Sequence, residues 1–355
     1  AQALASPFWL EWHPFLPMLR GAHLLVCAVA PRTVAPHRLG RRLVPLGTRC
    51  GSLLLALAGV QRLSFAVARP AARCHMEDGS ATRFGDDVQF ANFRVGASHM
   101  LYSSAHSLAL TDINPIGPGH VLVIPRRPAA RLSDLSDVEL SDLWQVVRTV
   151  QAVAEQRQGA QSSNVALFDG AGVGQPVEHV HVHVVPRLPG DPFGDDKIHD
   201  ALNEWSPVPR TAPPVSWNGP AEDDRMARTK EMMAAEASRY RAPGDDRIEP
   251  HRFAKFEIDA ESTFYRSPSG LTVGFVNLKP LVAGHVLVTP RRVVPRLVDL
   301  TLDELEDLFV SVRKIQAIVC AAHGADSANI GIQDGKESGQ SVPHVHVHIL
   351  PRGAT

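Results

Sequence analysis

His179–Arg187 reads HVHVHVVPR and His344–Arg352 reads HVHVHILPR, two stretches that agree at seven of nine positions. Upstream, Gly119–Arg127 (GHVLVIPRR) and Gly284–Arg292 (GHVLVTPRR) agree at eight of nine, and both pairs are 165 residues apart. The same offset runs through Asn164/Asn329, Asp169/Asp334, Gly170/Gly335, Gly174/Gly339 and Gln175/Gln340. A constant offset over so long a stretch marks a tandem duplication of one domain, with too few copies for a solenoid. Between the copies, Glu222–Arg241 is charged, Ala/Met-rich and helix-like, and Ala242-Pro243-Gly244-Asp245-Asp246 supplies breakers. The second copy is expected to start near Arg252-Phe253, with Arg83-Phe84 the equivalent start of the first. The division expected is an extension over 1–78, a first domain over 79–241, a linker over 242–250 and a second domain over 251–355.

Within a copy, hydrophobic periodicity gives the elements. Residues 107–112 and 120–124 are strand-like runs joined by the turn-rich Asn114–Gly119. Ser136 and Glu139 form a capping box, followed by Leu140, Leu143, Trp144, Val147 and Val150 at helical spacing. Thr301 and Glu304, with Leu305, Leu308, Phe309, Val312 and Ile315, repeat the design. Asn164–Phe168 and Val180–Val185 read as two further strands joined by a glycine-rich turn. Each copy is therefore α+β, an antiparallel sheet of about five strands with one long helix packed against it.

The histidines alternate with valines, so on a strand all three imidazoles face one way and line a surface while the valines anchor the core. A single core histidine is common, but three in register, twice over, are not explained by packing. Metal binding is the serious rival, since imidazole is the commonest zinc ligand. The outer histidines, however, lie about 13 Å apart along an extended strand, too far to share one ion. A row of imidazoles suits an extended anion, a polyphosphate. Glycines 170, 172, 174, 335 and 339 could let backbone amides approach its oxygens.

The overall balance, 36 Lys+Arg against 37 Asp+Glu, recommends neither nucleic acid nor a membrane surface as partner. The longest apolar runs, Leu24–Ala30 and Leu53–Ala58, are too short to span a bilayer. Residues 1–76 differ from the rest, with nine arginines, no lysine and the single acidic residue Glu11, a local charge of +8. This composition reads as an organellar transit segment, mitochondrial or plastid, or as a short secretory signal from Met18; the competing reading is a mistranslated leader before a cytoplasmic protein starting at Met76. The segment is expected to be irregular. It also holds Cys27, Cys50 and Cys74, which leaves Cys320 alone in the folded part and excludes a disulfide framework there.

His-Val-His-Val-His followed by two apolar residues resembles the signature of the histidine triad superfamily. Gln340–Arg352 with the upstream Gly284–Val288 (GHVLV) is similar to its fragile histidine triad branch, whose members hydrolyse diadenosine triphosphate and related dinucleoside polyphosphates. The resemblance implies that His346, and His181 in copy one, attack the α-phosphorus to form a nucleotidyl-histidine that water then hydrolyses, giving AMP plus ADP. It makes His344, His348, His179 and His183 the flanking members that orient the nucleophile and bind phosphate. Substrate contacts follow at His285 and His120, at Asn277 and Asp112 on the ribose, and at Gln333, Gln340 and Gln175. It implies no resident metal and no tightly bound cofactor, with a divalent cation, Mg or Mn, accompanying the substrate. Homodimers are common in the family, so a homodimer or an intramolecular pseudo-dimer is expected. Copy one departs from the pattern at Phe168, where copy two has Gln333, and copy two ends at Thr355 without the counterpart of Ile198–Trp205 and Glu222–Arg241. A transferase is disfavoured because His183 and His348 stand where such relatives carry glutamine. A nucleoside phosphoramidase and a non-enzymatic nucleotide-bound sensor are the alternatives.

Overall fold

The computed structural model describes residues 87–194, 197–207, 225–245 and 248–353. The extension over 1–78, its cysteines, Met18, Met76 and Arg83-Phe84 lie outside the described residues.

Copy one opens with a hairpin, β1 (Val88–Phe90) and β2 (Phe93–Val95), and continues with β3 (Met100–Ser103), β4 (Ser107–Thr111) and β5 (Val121–Pro125). Helix α1 (Asp137–Gln158) follows, then β6 (Ser162–Asp169), β7 (Val182–Arg187) and α2 (Lys197–Glu204). After α3 (Lys230–Tyr240), copy two repeats the order: hairpin β8 (His251–Phe253) and β9 (Phe256–Ile258), then β10 (Thr263–Arg266), β11 (Thr272–Val276), β12 (Val286–Pro290), α4 (Leu302–His323), β13 (Ser327–Asp334) and β14 (Val347–Arg352). The α+β class and the five strands that each copy gives to the main sheet are as the periodicity predicts; the two-stranded hairpin of each copy is additional.

Both long helices start and stop for local reasons. Ser136 Oγ accepts from the Glu139 N–H at 3.3 Å while the Glu139 carboxylate accepts from the Ser136 N–H at 2.9 Å. Thr301 and Glu304 do the same at 3.2 and 2.9 Å. At the other end Gly159 and Gly324 adopt φ of 68° and 62°, a left-handed stop that costs glycine little.

The sheets of the two copies are one sheet. Strands run in the order β10-β11-β12-β14-β13-β6-β7-β5-β4-β3, antiparallel throughout, with β13 paired to β6 at the centre. Contacts across this seam come in reciprocal pairs, as a pseudo-two-fold axis requires. Arg148 donates to the Leu300 carbonyl at 2.7 Å and Arg313 to that of Leu135 at 2.6 Å. Gln151 bonds Asp334 and Gln316 bonds Asp169, while Arg131 and Arg296, paired within their own copies with Asp169 and Asp334 at 3.0 Å each, also donate across the seam to the Asp326 and Gln161 carbonyls. The Trp144 and Phe309 rings stack face to face where α1 crosses α4, their centroids 3.4 Å apart. Helices α1, α3 and α4 and the valines of the triad strands share one core on one face of the sheet.

Two expectations are corrected here. The glycines of the 170s and 330s do not form phosphate cradles. A Cβ on Gly170 would sit 2.5 Å from Ser327 Oγ, and one on Gly335 2.5 Å from Ser162 Oγ, so these turns need glycine because they pack against the other copy. Helix α3, assigned by sequence to domain one, lies on copy two. Tyr240 OH meets His323 Nε2 at 2.5 Å and packs edge-on to Phe264, and Arg239 donates to the Ala322 carbonyl at 2.9 Å. No described helix is long and apolar enough to cross a membrane.

Candidate active site

Register fixes where the histidines stand. His183 on β7 pairs with Ala166, Ala166 with Gly331, and Gly331 with His348 on β14. The two triads therefore lie on the same face, opposite the long helices α1 and α4, with His183 and His348 about 14 Å apart at three strand spacings. The first two histidines of each triad precede the strand. Val180 N–H donates to the Ala129 carbonyl and Val345 N–H to that of Val294, each at 2.7 Å, which ties these segments to the chain beside them. The predicted open row is likewise corrected: His179, His181, His183 and His344 are fully buried, and His346 retains 4 % exposure.

Hydrogen bonds settle the ring tautomers. The His346 Nδ1 lies 2.7 Å from the His344 carbonyl, and His181 Nδ1 lies 2.8 Å from that of His179. A carbonyl only accepts, so Nδ1 carries the proton and Nε2 is left with the lone pair, the state a nucleophile requires. The outer members differ from expectation. His344 accepts from the Ala254 N–H at 3.1 Å and donates to the Pro290 carbonyl at 2.9 Å, and His179 does the same with Ala91 and Pro125. Both nitrogens of each ring are taken by backbone, so these two rings are fixed in place and are not available to phosphate.

On the other flank, Leu281 N–H donates to His285 Nδ1 at 3.0 Å, so His285 Nε2–H donates to His348 Nδ1 at 2.9 Å. His348 Nε2–H is thereby left as a donor, buried and without a partner among the described residues. Ile116, His120 and His183 repeat this chain at 3.2 and 3.0 Å. Burial holds His346 and His181 down at about 4, and His285 and His120 at about 3. Turnover dependent on a neutral His346 is thus expected to stay level as pH falls from 8 to about 5 and to be halved near pH 4. A pH series of kcat/KM checks this; a midpoint near 6.5 would mean an open, solvated imidazole.

The remaining predicted contacts divide. Asn277 Nδ2 faces the His285 ring at 3.3 Å. Its counterpart Asp112 sits 3.2 Å from His120 Nδ1, and its carboxyl is raised to about 6 by burial, opposed by the hydrogen bond from the Asn114 N–H and by the nearby Trp205 side chain. Phe168 meets the edge of His183, ring centroids 6.0 Å apart, and its counterpart Gln333 lies on β13 two residues from Gly331 of the triad row. Gln175 and Gln340 are corrections. Their Oε1 atoms accept from Gly170 and Gly335 N–H at 2.6 and 2.9 Å, and their Nε2 atoms donate to the Ala130 and Pro295 carbonyls at 3.0 and 2.9 Å, so these glutamines hold the turns. Asp112, His120 and His183 offer ligand atoms within 4.8 Å of one another. His120 faces Asp112 through Nδ1 and His183 through Nε2.

Sequence reading missed the hairpins. Phe90 lies 5.8 Å from His181 and Phe253 5.2 Å from His346, both edge-on. Between their strands Ala91 and Ala254 take φ of 49° and 51°, and their amides are the donors that fix His179 and His344. Phe90-Ala91-Asn92-Phe93 and Phe253-Ala254-Lys255-Phe256 repeat in the sequence, two residues out of step with the main offset. The counterpart of Phe253 is accordingly Phe90 and not Phe84. Arg225 and Arg228 were missed as well. Arg228 donates to the Asn277 carbonyl at 3.0 Å, and both guanidinium charges add to the depression of His285 after burial.

A family model of the HIT domain matches residues 94–190 and again 257–355, more than half of the chain. The chain belongs to the HIT domain family. Its two HIT domains are the two copies described above. Among curated proteins, the chain is 57 % identical over 100 residues to the Schizosaccharomyces pombe bis(5'-nucleosyl)-tetraphosphatase [asymmetrical], covering 28 % of this chain and 53 % of that one. It is 54 % identical over 103 residues to the nitrilase and fragile histidine triad fusion protein NitFhit of Caenorhabditis elegans (29 % and 23 %). It is 48 % identical over 102 residues to the bifunctional bis(5'-adenosyl)-triphosphatase/adenylylsulfatase FHIT of Arabidopsis thaliana (29 % and 56 %). The matched region thus spans about half or less of these relatives' own length.

Proposed function

We propose that this tandem HIT protein hydrolyses dinucleoside polyphosphates, diadenosine triphosphate among them, to AMP and ADP. The observation that carries the reading is the His346 ring, whose Nδ1–H is held by the His344 carbonyl so that Nε2 offers its lone pair beside the donor His348 Nε2–H. Nε2 attacks the α-phosphorus, forming a P–N bond as the P–O bond to the leaving ADP breaks with its electron pair. The imidazole then carries a positive charge, which the His344 carbonyl stabilises through Nδ1–H. Water next attacks phosphorus, the P–N bond breaks, AMP departs and the proton of water is released to solvent. His348 Nε2–H stabilises charge on the phosphoryl oxygens, and Asn277 stands where the ribose contact is expected. A divalent cation, Mg or Mn, enters with the substrate phosphates and no step depends on a protein-bound ion. The names of the relatives support the substrate class. A chromatographic assay of the full chain with diadenosine triphosphate in 18O-water tests the reading. Equimolar AMP and ADP, with the label in AMP, are expected; no cleavage, or label in ADP alone, would overturn it.

A further inference from the structure

Among the described residues the two triads are covered differently. Trp205, just past α2, packs its indole on the copy-one triad, with ring centroids 4.6 Å from His183, 5.4 Å from His181 and 6.5 Å from His120. It is 5 % exposed. Its side chain also reaches Asp112, the position expected to hold the ribose. Phe90 closes the other side of His181, whose Nε2 is sealed from solvent without a hydrogen-bond partner among the described residues. In copy two, Phe253 takes the place of Phe90, but no described aromatic ring takes the place of Trp205.

The plug is seated by residues particular to copy one. Phe168 forms an apolar cluster with Val173, Val185 and, on α2, Ile198 and Leu202. Copy two has the polar Gln333 at the equivalent position. Asn114 Nδ2 donates to the Ser206 carbonyl at 2.9 Å and pins the residue after the tryptophan. The departure from the family pattern at Phe168 thus builds the platform that delivers Trp205.

We propose that Trp205 fills the nucleoside position of copy one and keeps His181 from substrate, so the resting chain has a working site in copy two and a latent one in copy one. An indole is a planar aromatic of nearly purine size, and lying over His181 and His183 while touching Asp112 it spans both ribose and phosphate positions. A lone pair that phosphorus cannot approach cannot attack, whatever its basicity. Trp205 is in this sense the residue that selects which copy turns over, an inference that rests on the hydrolase reading above.

The test uses the full chain and two readouts. First, diethyl pyrocarbonate labelling of neutral imidazoles, mapped by peptide mass spectrometry, reports access to His181 without any substrate. His346 is expected to label faster than His181 in the wild type, Trp205→Ala to speed His181 labelling at least tenfold, and Trp205→Phe to keep it shielded. Second, AMP release from diadenosine triphosphate is measured with copy two silenced by His346→Ala. Adding Trp205→Ala is expected to raise release at least tenfold, and adding His181→Ala to abolish that gain; a loosened, misfolded copy one would give no such His181-dependent gain. Equal labelling of His181 and His346 in the wild type, or no increase in Trp205→Ala, overturns the occlusion. Increased labelling with no AMP from any variant, wild type included, leaves occlusion standing and overturns the hydrolase reading instead.

Discussion

Replacing His346 by alanine is expected to cut AMP release from diadenosine triphosphate to under about a tenth of the wild-type rate, with substrate binding largely kept. At the copy-two site itself the loss is of the order of 10⁴-fold or more, the scale seen when a covalent nucleophile is removed from a positioned constellation. What remains in the whole chain is set by copy one, where Trp205 lies over His181. Adding His181→Ala should bring the rate to background. The measurement is steady-state product chromatography for the single and double variants, with AMP affinity by calorimetry to separate binding from chemistry. A drop of only about half in His346→Ala, completed by His181→Ala, would mean two equivalent sites. His348→Asn is a useful companion. Asn reaches only the Nδ1 position, so the Nε2–H is lost, a donor that is buried and without a partner among the described residues; kcat should fall more than KM changes, because the bond is made only to the phosphoryl group.

Much of this architecture is legible in the sequence because it is periodic. The capping boxes at Ser136 and Thr301 announce their helices, and the constant offset announces two domains. The role proposed for His346 and His181 comes from the family resemblance, whereas the triads themselves could be picked out because histidines alternating with valines have few structural uses. The orientation of the rings could not, since it depends on Ala91 and Ala254, whose amides come from 88 and 90 residues away in the chain to fix His179 and His344. Nor could the meaning of the glycines be read. Gly170 and Gly335 carry the composition of a phosphate loop, yet their constraint is a serine of the other copy, a contact that exists only once the two sheets have joined. Gln175 and Gln340 mislead in the same way, because a polar residue near a triad can hold a turn as readily as a ligand. Phe168 was legible as a departure, but its consequence lay in α2 and Trp205, beyond the reach of any local motif.

Trp144→Ala is expected to cost about 3–5 kcal/mol, the range for deleting a fully buried aromatic side chain. Trp144 is 1 % exposed and stacks on Phe309 between α1 and α4, so the cavity opens at the seam and not within either copy. Relaxation of the surroundings is limited there, since β6 and β13 on the sheet below are locked in seven-residue register and Arg148, Arg313, Gln151 and Gln316 tie each copy to the other. The loss is large against the ~5–15 kcal/mol net stability of ordinary domains. Its distribution is the sharper test. If the ten strands form one cooperative sheet, urea unfolding of Trp144→Ala should shift to lower concentration as a single transition, with far-UV circular dichroism and the loss of AMP release by copy two coinciding. A variant in which catalysis by copy two survives while half of the circular dichroism signal is lost would show two independently folding domains that merely touch. In that case the seam would not be what holds the two triads on a common face.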